Sequence, residues 1–315
     1  MRGAVGRVLL IGGAGFIGAH LAHELSARGR DVVVLDDDRA WTTDRDDARA
    51  WRERTLLGEC ELRHGAAEDP RALAAALALE PDAVVHLANL PLVGVASRDP
   101  ARAYATIVGT TAAVVAGVER YAPDARLTYV SSSMVYGDFA RDPQPESSPL
   151  VPREPYGAAK LAAERCIRAS RTRWTIVRPS AVYGPGDGHR RFVARLVEAA
   201  VHAHPLRLTA DPALRLDFTA VMDVARGLAD AALSPAAEHG TFNLSAGHAR
   251  SLREAIDAVR ALGFAVAVER VAAPAVHPRR GTLDITRARE AFGYVPRLSL
   301  EHGLAAYLDV ALAPA

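Results

Sequence analysis

The chain has 315 residues, half of them hydrophobic and 24% charged, with a net charge of +1. This is the make-up of a globular protein with one large or two intimate domains. It excludes a charge-driven nucleic-acid binder, because neither the net charge nor any basic stripe supplies the field. The apolar run Val8 to Ile11 is too short for a signal core, and no other stretch reads as a membrane span. The expectation is a cytoplasmic protein that uses neither membrane nor nucleic acid. Cys60 and Cys166 fit no metal-ligand spacing and read as buried free thiols, so no metal is expected.

In chain order, Arg7 to Ile11 reads as a buried strand. Gly12-Gly13-Ala14-Gly15-Phe16-Ile17-Gly18 follows, then a helical pattern through Leu21 and Leu25 that Gly29 closes. Asp31 to Asp36 is the second strand. Glycines let such a turn bring its backbone against a pyrophosphate at the helix N-terminus. Asp36 stands 18 residues after Gly18, near the spacing of a ribose-binding carboxylate. The competing reading is a tight turn that binds nothing. Asp36-Asp37-Asp38 would repel a 2′-phosphate, which favours NAD over NADP.

Residues 37–60 read as a charged surface loop with Trp41 and Trp51, and a helix over Asp46 to Leu57. Strands follow at Glu61–His64, Ala83–Ala88, Leu127–Val130 and Trp174–Arg178, with helices over Ala72–Leu79 and between Pro100 and Tyr121. Alternation of this kind predicts a doubly wound parallel sheet, an α/β fold of the Rossmann type. Ligands in such sheets bind beyond the carboxyl ends of the strands. The glycine turn, the run Ser131-Ser132-Ser133-Met134-Val135-Tyr136-Gly137 and the helix opened by Pro155 all fall at that edge.

That helix carries Tyr156-Gly157-Ala158-Ala159-Lys160, a phenol and an ammonium one turn apart. At ~4 Å and an effective dielectric of ~20, a unit charge is worth about 4 kcal/mol. Lys160 would then lower the Tyr156 pKa by roughly three units, and Tyr156 could exchange protons near neutrality. A solvated surface pair is the alternative.

Taken together these parts resemble the extended short-chain dehydrogenase/reductase family, the NAD-dependent epimerases and dehydratases of nucleotide sugars. The resemblance rests on Gly12-x-x-Gly15-x-x-Gly18, His86-Leu87-Ala88, the serine run to Val135-Tyr136-Gly137, Tyr156-x-x-x-Lys160 and Arg178-Pro179 to Tyr183-Gly184-Pro185. The tail, Phe292-Gly293-Tyr294-Val295-Pro296 and Leu300 to Leu304, extends it. The resemblance implies Ser132, Tyr156 and Lys160 as the catalytic trio. It implies NAD held by Gly12, Gly15, Phe16, Ile17, Gly18, Asp36, Leu87, Ala88, Tyr156, Lys160 and Arg178. Ser131 and Ser133 read more simply as strand-end serines that bond the backbone, and His86 as either a cofactor-path residue or a packed strand histidine. His189, His202 and His204 read as surface or second-domain residues. The family pattern further implies an NAD-binding domain over 1–179 and 217–247, a smaller discontinuous α/β substrate domain over 180–216 and 248–315, and a homodimer formed through the helices after Pro100 and Pro155.

The departures bear on chemistry. Dehydratases of the family carry an Asp-Glu pair after the catalytic hydroxyl residue, and decarboxylases carry a glutamate two before the tyrosine of Val-Tyr-Gly. Here Ser133 and Met134 stand there. Ala181 replaces an asparagine, and Leu216 replaces a diphosphate-binding arginine, with Arg215 displaced by one. Ala66 replaces an acid that often meets adenine, leaving Glu68 and Asp69 as alternatives, and Thr106 replaces an asparagine before Gly109-Thr110. Substrate contacts are therefore expected from Ser132, Ser133, Tyr156, Arg191, Arg215 and Arg279, with Arg190 and Arg280 further candidates. The expected activity is 4-epimerisation of a nucleotide-linked sugar through a transient ketone. An NAD-dependent ketoreductase or dehydrogenase on a sugar-like or specialised-metabolism substrate is the alternative, and a non-catalytic NAD-binding protein the third reading.

Overall fold

The computed structural model describes residues 6–39, 46–272 and 278–313. Its centre is a seven-stranded sheet: β1 (Arg7–Ile11), β2 (Asp31–Asp36), β3 (Glu61–His64), β4 (Ala83–His86), β5 (Arg126–Val130), β6 (Arg173–Pro179) and β7 (Gly240–Leu244). The spatial order is β3-β2-β1-β4-β5-β6-β7, and every pairing is parallel. Val8 and Leu10 of β1 point into one apolar cluster, Leu9 and Ile11 into another on the opposite face. Burial on both faces explains why the central strands read as unbroken apolar runs.

Strand order reverses between β1 and β4, and a crevice opens there at the carboxyl ends. The first face is covered by helices α1 (Phe16–Ala27) and Val221–Leu233, which pack on each other. Helices Pro70–Leu77, Pro100–Tyr121 and Pro155–Ala169 contribute to the second cluster. A third cluster joins Tyr183, Leu196, Phe218, Leu252, Leu304 and their neighbours beyond the sheet's edge.

The 22-residue stretch Pro100–Tyr121 holds an 18-residue window of mean hydropathy 1.3, long and apolar enough to span a membrane by length and composition alone. Its inner face is packed in the second cluster, through Ala103, Ile107, Val114 and Val118. The helix widens to a π turn over Ala105–Gly109, and both Thr106 and Thr110 reach the crevice from that stretch.

Candidate active site

A cleft of about 700 Å³ lies over the switch point. The glycine turn forms its floor. Gly12 has φ +79°, and a Cβ there would stand 2.4 Å from the backbone nitrogen of Ala88, so only glycine fits. Leu87 and Ala88 both donate their backbone N–H to the Ile11 carbonyl, at 2.8 and 2.9 Å, which locks the end of β4 against the turn. α1 opens at Gly15 with no side-chain cap, leaving its first-turn N–H groups to a ligand. Gly12, Gly15, Phe16, Ile17, Gly18, Asp36, Leu87 and Ala88 all line the cleft. The Asp36 carboxylate ends β2 and accepts from the Ala14 and Asp38 N–H groups, both at 2.9 Å. Burial still pushes its pKa up. This cradle, an open helix N-terminus with a carboxylate beside it, fits a dinucleotide with a free ribose hydroxyl.

At the far end Glu68 takes the place left by Ala66. It lines the cleft and is held by Arg39 at 2.9 Å and by the Thr110 hydroxyl at 3.4 Å. Asp69 is used elsewhere, capping helix Pro70–Leu77 through the Arg71 N–H.

Ser132, Tyr156 and Lys160 meet at the other end of the cleft. Pro155 sits in the first turn of its helix, where its missing N–H costs nothing. Gly157 lets the helix start close against the serine run: a Cβ there would lie 2.6 Å from the Met134 carbonyl oxygen. Tyr156 is thereby brought to the cleft beside Ser132, one of the groups that act to lower its pKa. The Ser132 Oγ also accepts the Met134 N–H at 3.2 Å.

Lys160 gives its hydrogen bond to the strand below and not to the phenol. Its Nζ donates to the Val130 carbonyl at 2.8 Å and lies 4.9 Å from the Tyr129 ring centre, but 5.9 Å from that of Tyr156. Burial draws the Lys160 pKa down to about 7, against the opposing pull of Glu164. Burial raises the Tyr156 pKa, and the groups that lower it are Arg191 first and then Ser132. Arg191 is one cation that acts on the phenol. It lines the cleft 3.6 Å from Asp187, with its guanidinium 6.0 Å from the Phe16 ring centre.

Four other expectations are revised. Arg178 does not line the cleft: it is buried beneath it, bonded to both oxygens of Glu164 at 2.8 and 2.6 Å and to the Tyr136 hydroxyl at 2.9 Å. Arg215 is exposed and donates to the Ala249 carbonyl at 2.8 Å, while Leu216 faces the cleft. Arg279 is exposed and is tied by its backbone to Asp138 and Phe139; its neighbour Arg280 turns inward. Ser133 lines the cleft but is engaged by Arg280, which donates to its Oγ at 2.5 Å and to the Ser133 and Gly137 carbonyls at 3.2 Å.

His86 is the packed strand histidine, fully buried, 3.1 Å from the Thr111 hydroxyl and outside the cleft. His189 is half-buried and lines the cleft, whereas His202 and His204 are exposed. Arg190 is exposed and paired with Glu198. Arg52, which sequence reasoning missed, is buried at the cleft and joins the Ala14 carbonyl at 3.1 Å to that of Gly186 at 2.7 Å. Nothing in the charged segment 46–56 marked it, apart from its place beside Trp51. Among the described residues no group of three or more His, Cys, Asp or Glu is placed to hold a metal ion.

The family model of the NAD dependent epimerase/dehydratase family matches residues 8–245. The chain belongs to that family. It is 31% identical to a UDP-glucose 4-epimerase of Mycolicibacterium smegmatis, over 95% of this chain and 96% of that one. It is 29% identical to UDP-glucuronic acid decarboxylase 1 of Arabidopsis thaliana, over 95% of this chain and 68% of that protein. The structure of the Thermus thermophilus UDP-glucose 4-epimerase complexed with NAD superposes with a TM-score of 0.84 at 27% identity, covering 96% of this chain and 98% of that one. The protein is thus an NAD-dependent enzyme of the extended short-chain dehydrogenase/reductase type. Its fold is the family's, and Met134 stands in the cleft where the decarboxylase pattern places a glutamate.

Proposed function

We propose that this enzyme is a 4-epimerase of a nucleotide-linked sugar. One observation carries the reading. Among the described residues lining the cleft, the carboxylates are Asp36, Asp37, Asp38 and Glu68, gathered around the glycine turn and the end of β3, away from Ser132 and Tyr156. The reacting end therefore offers a phenol, a hydroxyl and cations, and no acid to expel water. The epimerase relatives support the same reading.

NAD, when bound, supplies an acceptor that takes a hydride from the sugar's C4 and gives it back. The residues of the chain handle the proton. In its deprotonated form, which Arg191 favours and burial opposes, Tyr156 removes the 4-hydroxyl proton while Ser132 hydrogen-bonds the same oxygen, and the C4–O bond becomes a carbonyl. After the sugar turns over, Tyr156 returns its proton to that oxygen. A hydride returned to the other face of C4 would leave no net redox change. Lys160, fixed below by Val130, contributes positive charge to this end of the cleft. Arg191 and Arg280 are the cations available to an anionic carrier group, in place of Arg215 and Arg279.

The test is incubation with UDP-glucose and other nucleotide-linked hexoses plus NAD, with products read by NMR. The 4-epimer should accumulate without net formation of reduced nicotinamide. Stoichiometric redox change or release of carbon dioxide would overturn the reading. Net redox turnover is what the ketoreductase alternative requires, and Ala181 and Leu216 lining the cleft favour it, because both lack the polar groups expected there.

The same reading extends to a homodimer through helices Pro100–Tyr121 and Pro155–Ala169, supported by the exposed Tyr104 and Tyr121, and to a cytoplasmic location, supported by the free Cys60 and Cys166 thiols. Sedimentation analysis of the purified enzyme checks the first.

A further inference from the structure

Beneath the cleft, three consecutive residues at the end of β5 meet one face of helix Pro155–Ala169. Val130 gives its carbonyl to Lys160 at 2.8 Å, Ser131 donates its hydroxyl to Glu164 at 2.6 Å, and Ser132 lines the cleft with Tyr156. Tyr156, Lys160 and Glu164 follow one another at four-residue intervals, so they share that face.

Glu164 is fully buried and reaches further than its neighbours. It takes both Arg178 bonds from β6 and a third charged bond from Arg168 at 3.0 Å. Arg178 in turn donates to Tyr136, whose hydroxyl donates to Asn243 of β7 at 2.7 Å. One carboxylate thus ties the catalytic helix to β5 and β6 directly and to β7 through Tyr136.

We propose that Glu164 is a positioning residue for the reaction, setting Ser132 against Tyr156 through Ser131 and supplying the negative charge that keeps the buried Lys160 ammonium in place. This rests on the reading of Tyr156 as the proton-transfer group. Among the described groups that act on Lys160, Glu164, one helical turn on, is the carboxylate. His86 on β4 and Tyr129 on β5 are buried and neutral, since burial pulls the first down to about 3 and pushes the second well up. Tyr156 on the same helix is raised by burial as well. Burial by itself would also push Glu164 up, but Arg178, Ser131 and Arg168 hold it below its ordinary value, so it is charged at neutral pH. Neutralising Arg178 alone would not require the carboxylate to lie one turn from Lys160 and bonded to Ser131.

The test exploits a property of this chain: Lys160 is its only lysine. Isotopically labelled lysine therefore gives a single Cε resonance, which titrates without substrate or cofactor. In the parent enzyme its midpoint should lie near about 7. In Glu164→Gln it should fall by about one pH unit or more, and the alkaline limb of kcat should move down with it. Glu164→Asp should recover part of both. Ser131→Ala keeps the charge and removes the tie, so kcat should drop about tenfold with the lysine midpoint unchanged.

Glu164→Gln leaves Arg178 buried beside a neutral amide. The double variant Glu164→Gln/Arg178→Met removes that strain if the single variant does not fold, and its midpoint should fall likewise. An unchanged midpoint in either variant overturns the electrostatic role. Parent-like kcat in Ser131→Ala overturns the positioning role. Absence of epimerase activity with a shifted midpoint would count against the substrate reading and leave the Lys160–Glu164 linkage standing.

Discussion

Lowering the pH from about 7 to about 5.5 should cost this protein about 2.5 kcal/mol of folding stability, through two buried histidines. His20 lies on α1, 7% exposed, with Nε2 2.9 Å from the Pro185 carbonyl. His86 lies in β4 and is fully buried. Burial takes their pKa values from 6.5 to about 4 and about 3. Both values are depressed, so the fold prefers the neutral rings and the unfolded chain binds protons first. Stability is complete above 6.5 and is lost as pH falls below it. At about pH 5.5 an unfolded histidine is mostly protonated and the buried one is not, which costs about 1.2 kcal/mol for each ring relative to about pH 7.

The window is chosen with the acids in mind. Burial raises Asp36, Glu146 and Asp217, so their protonation in the fold offsets the loss at lower pH. Urea unfolding at the two pH values measures the difference, which is a large part of the ~5–15 kcal/mol typical of a domain. His86→Gln should remove about half of it. Equal stability at both pH values, or an undiminished difference in the variant, would refute the assignment.

Further outcomes follow from the site. Tyr156→Phe should lower turnover by about 10² or more while NAD still binds, and a loss below tenfold would exclude Tyr156 as the acid–base group. Gly157→Ala should cut kcat more than it raises KM, since its Cβ must push the helix away from the Met134 carbonyl, 2.6 Å distant, and so part Tyr156 from Ser132. Ala181 has φ +39°, a region where alanine is strained. Ala181→Gly should therefore gain about 0.5–1 kcal/mol in urea unfolding, and a loss of stability would show the strain to be absent.

The sheet was legible because its pattern is physical. Strands buried on both faces must be apolar throughout, and the glycine turn must be glycine where a Cβ would strike Ala88. The substrate cations were not legible, for a reason of equal simplicity. Neighbours in extended chain point to opposite sides. Arg215 and Leu216 form such a pair, as do Arg279 and Arg280, and in each the residue named first turned out to face solvent. A reading that errs by one position inverts the answer. Arg178 was misjudged in a different way, since its place at the end of β6 is next to the cleft but its partner Glu164 lies below it.

Spacing located Tyr156 and Lys160 but not the Val130 carbonyl that takes the ammonium, because it says nothing of where an ammonium finds its acceptor. Composition held a stronger pointer. Of 38 basic residues, 37 are arginine and one is Lys160. A bias that favours arginine throughout the chain has stopped at one position. Arginine holds its proton at any working pH, whereas a buried lysine can be drawn into the neutral range. Arg178, a few ångströms from Glu164, shows what this fold does where permanent charge is enough. At 160 the ammonium must fit under Val130, between the Tyr129 and Tyr156 rings, as a compact point charge that a planar guanidinium cannot imitate. The exception is then a chemical requirement of the site, written into the composition of the whole chain.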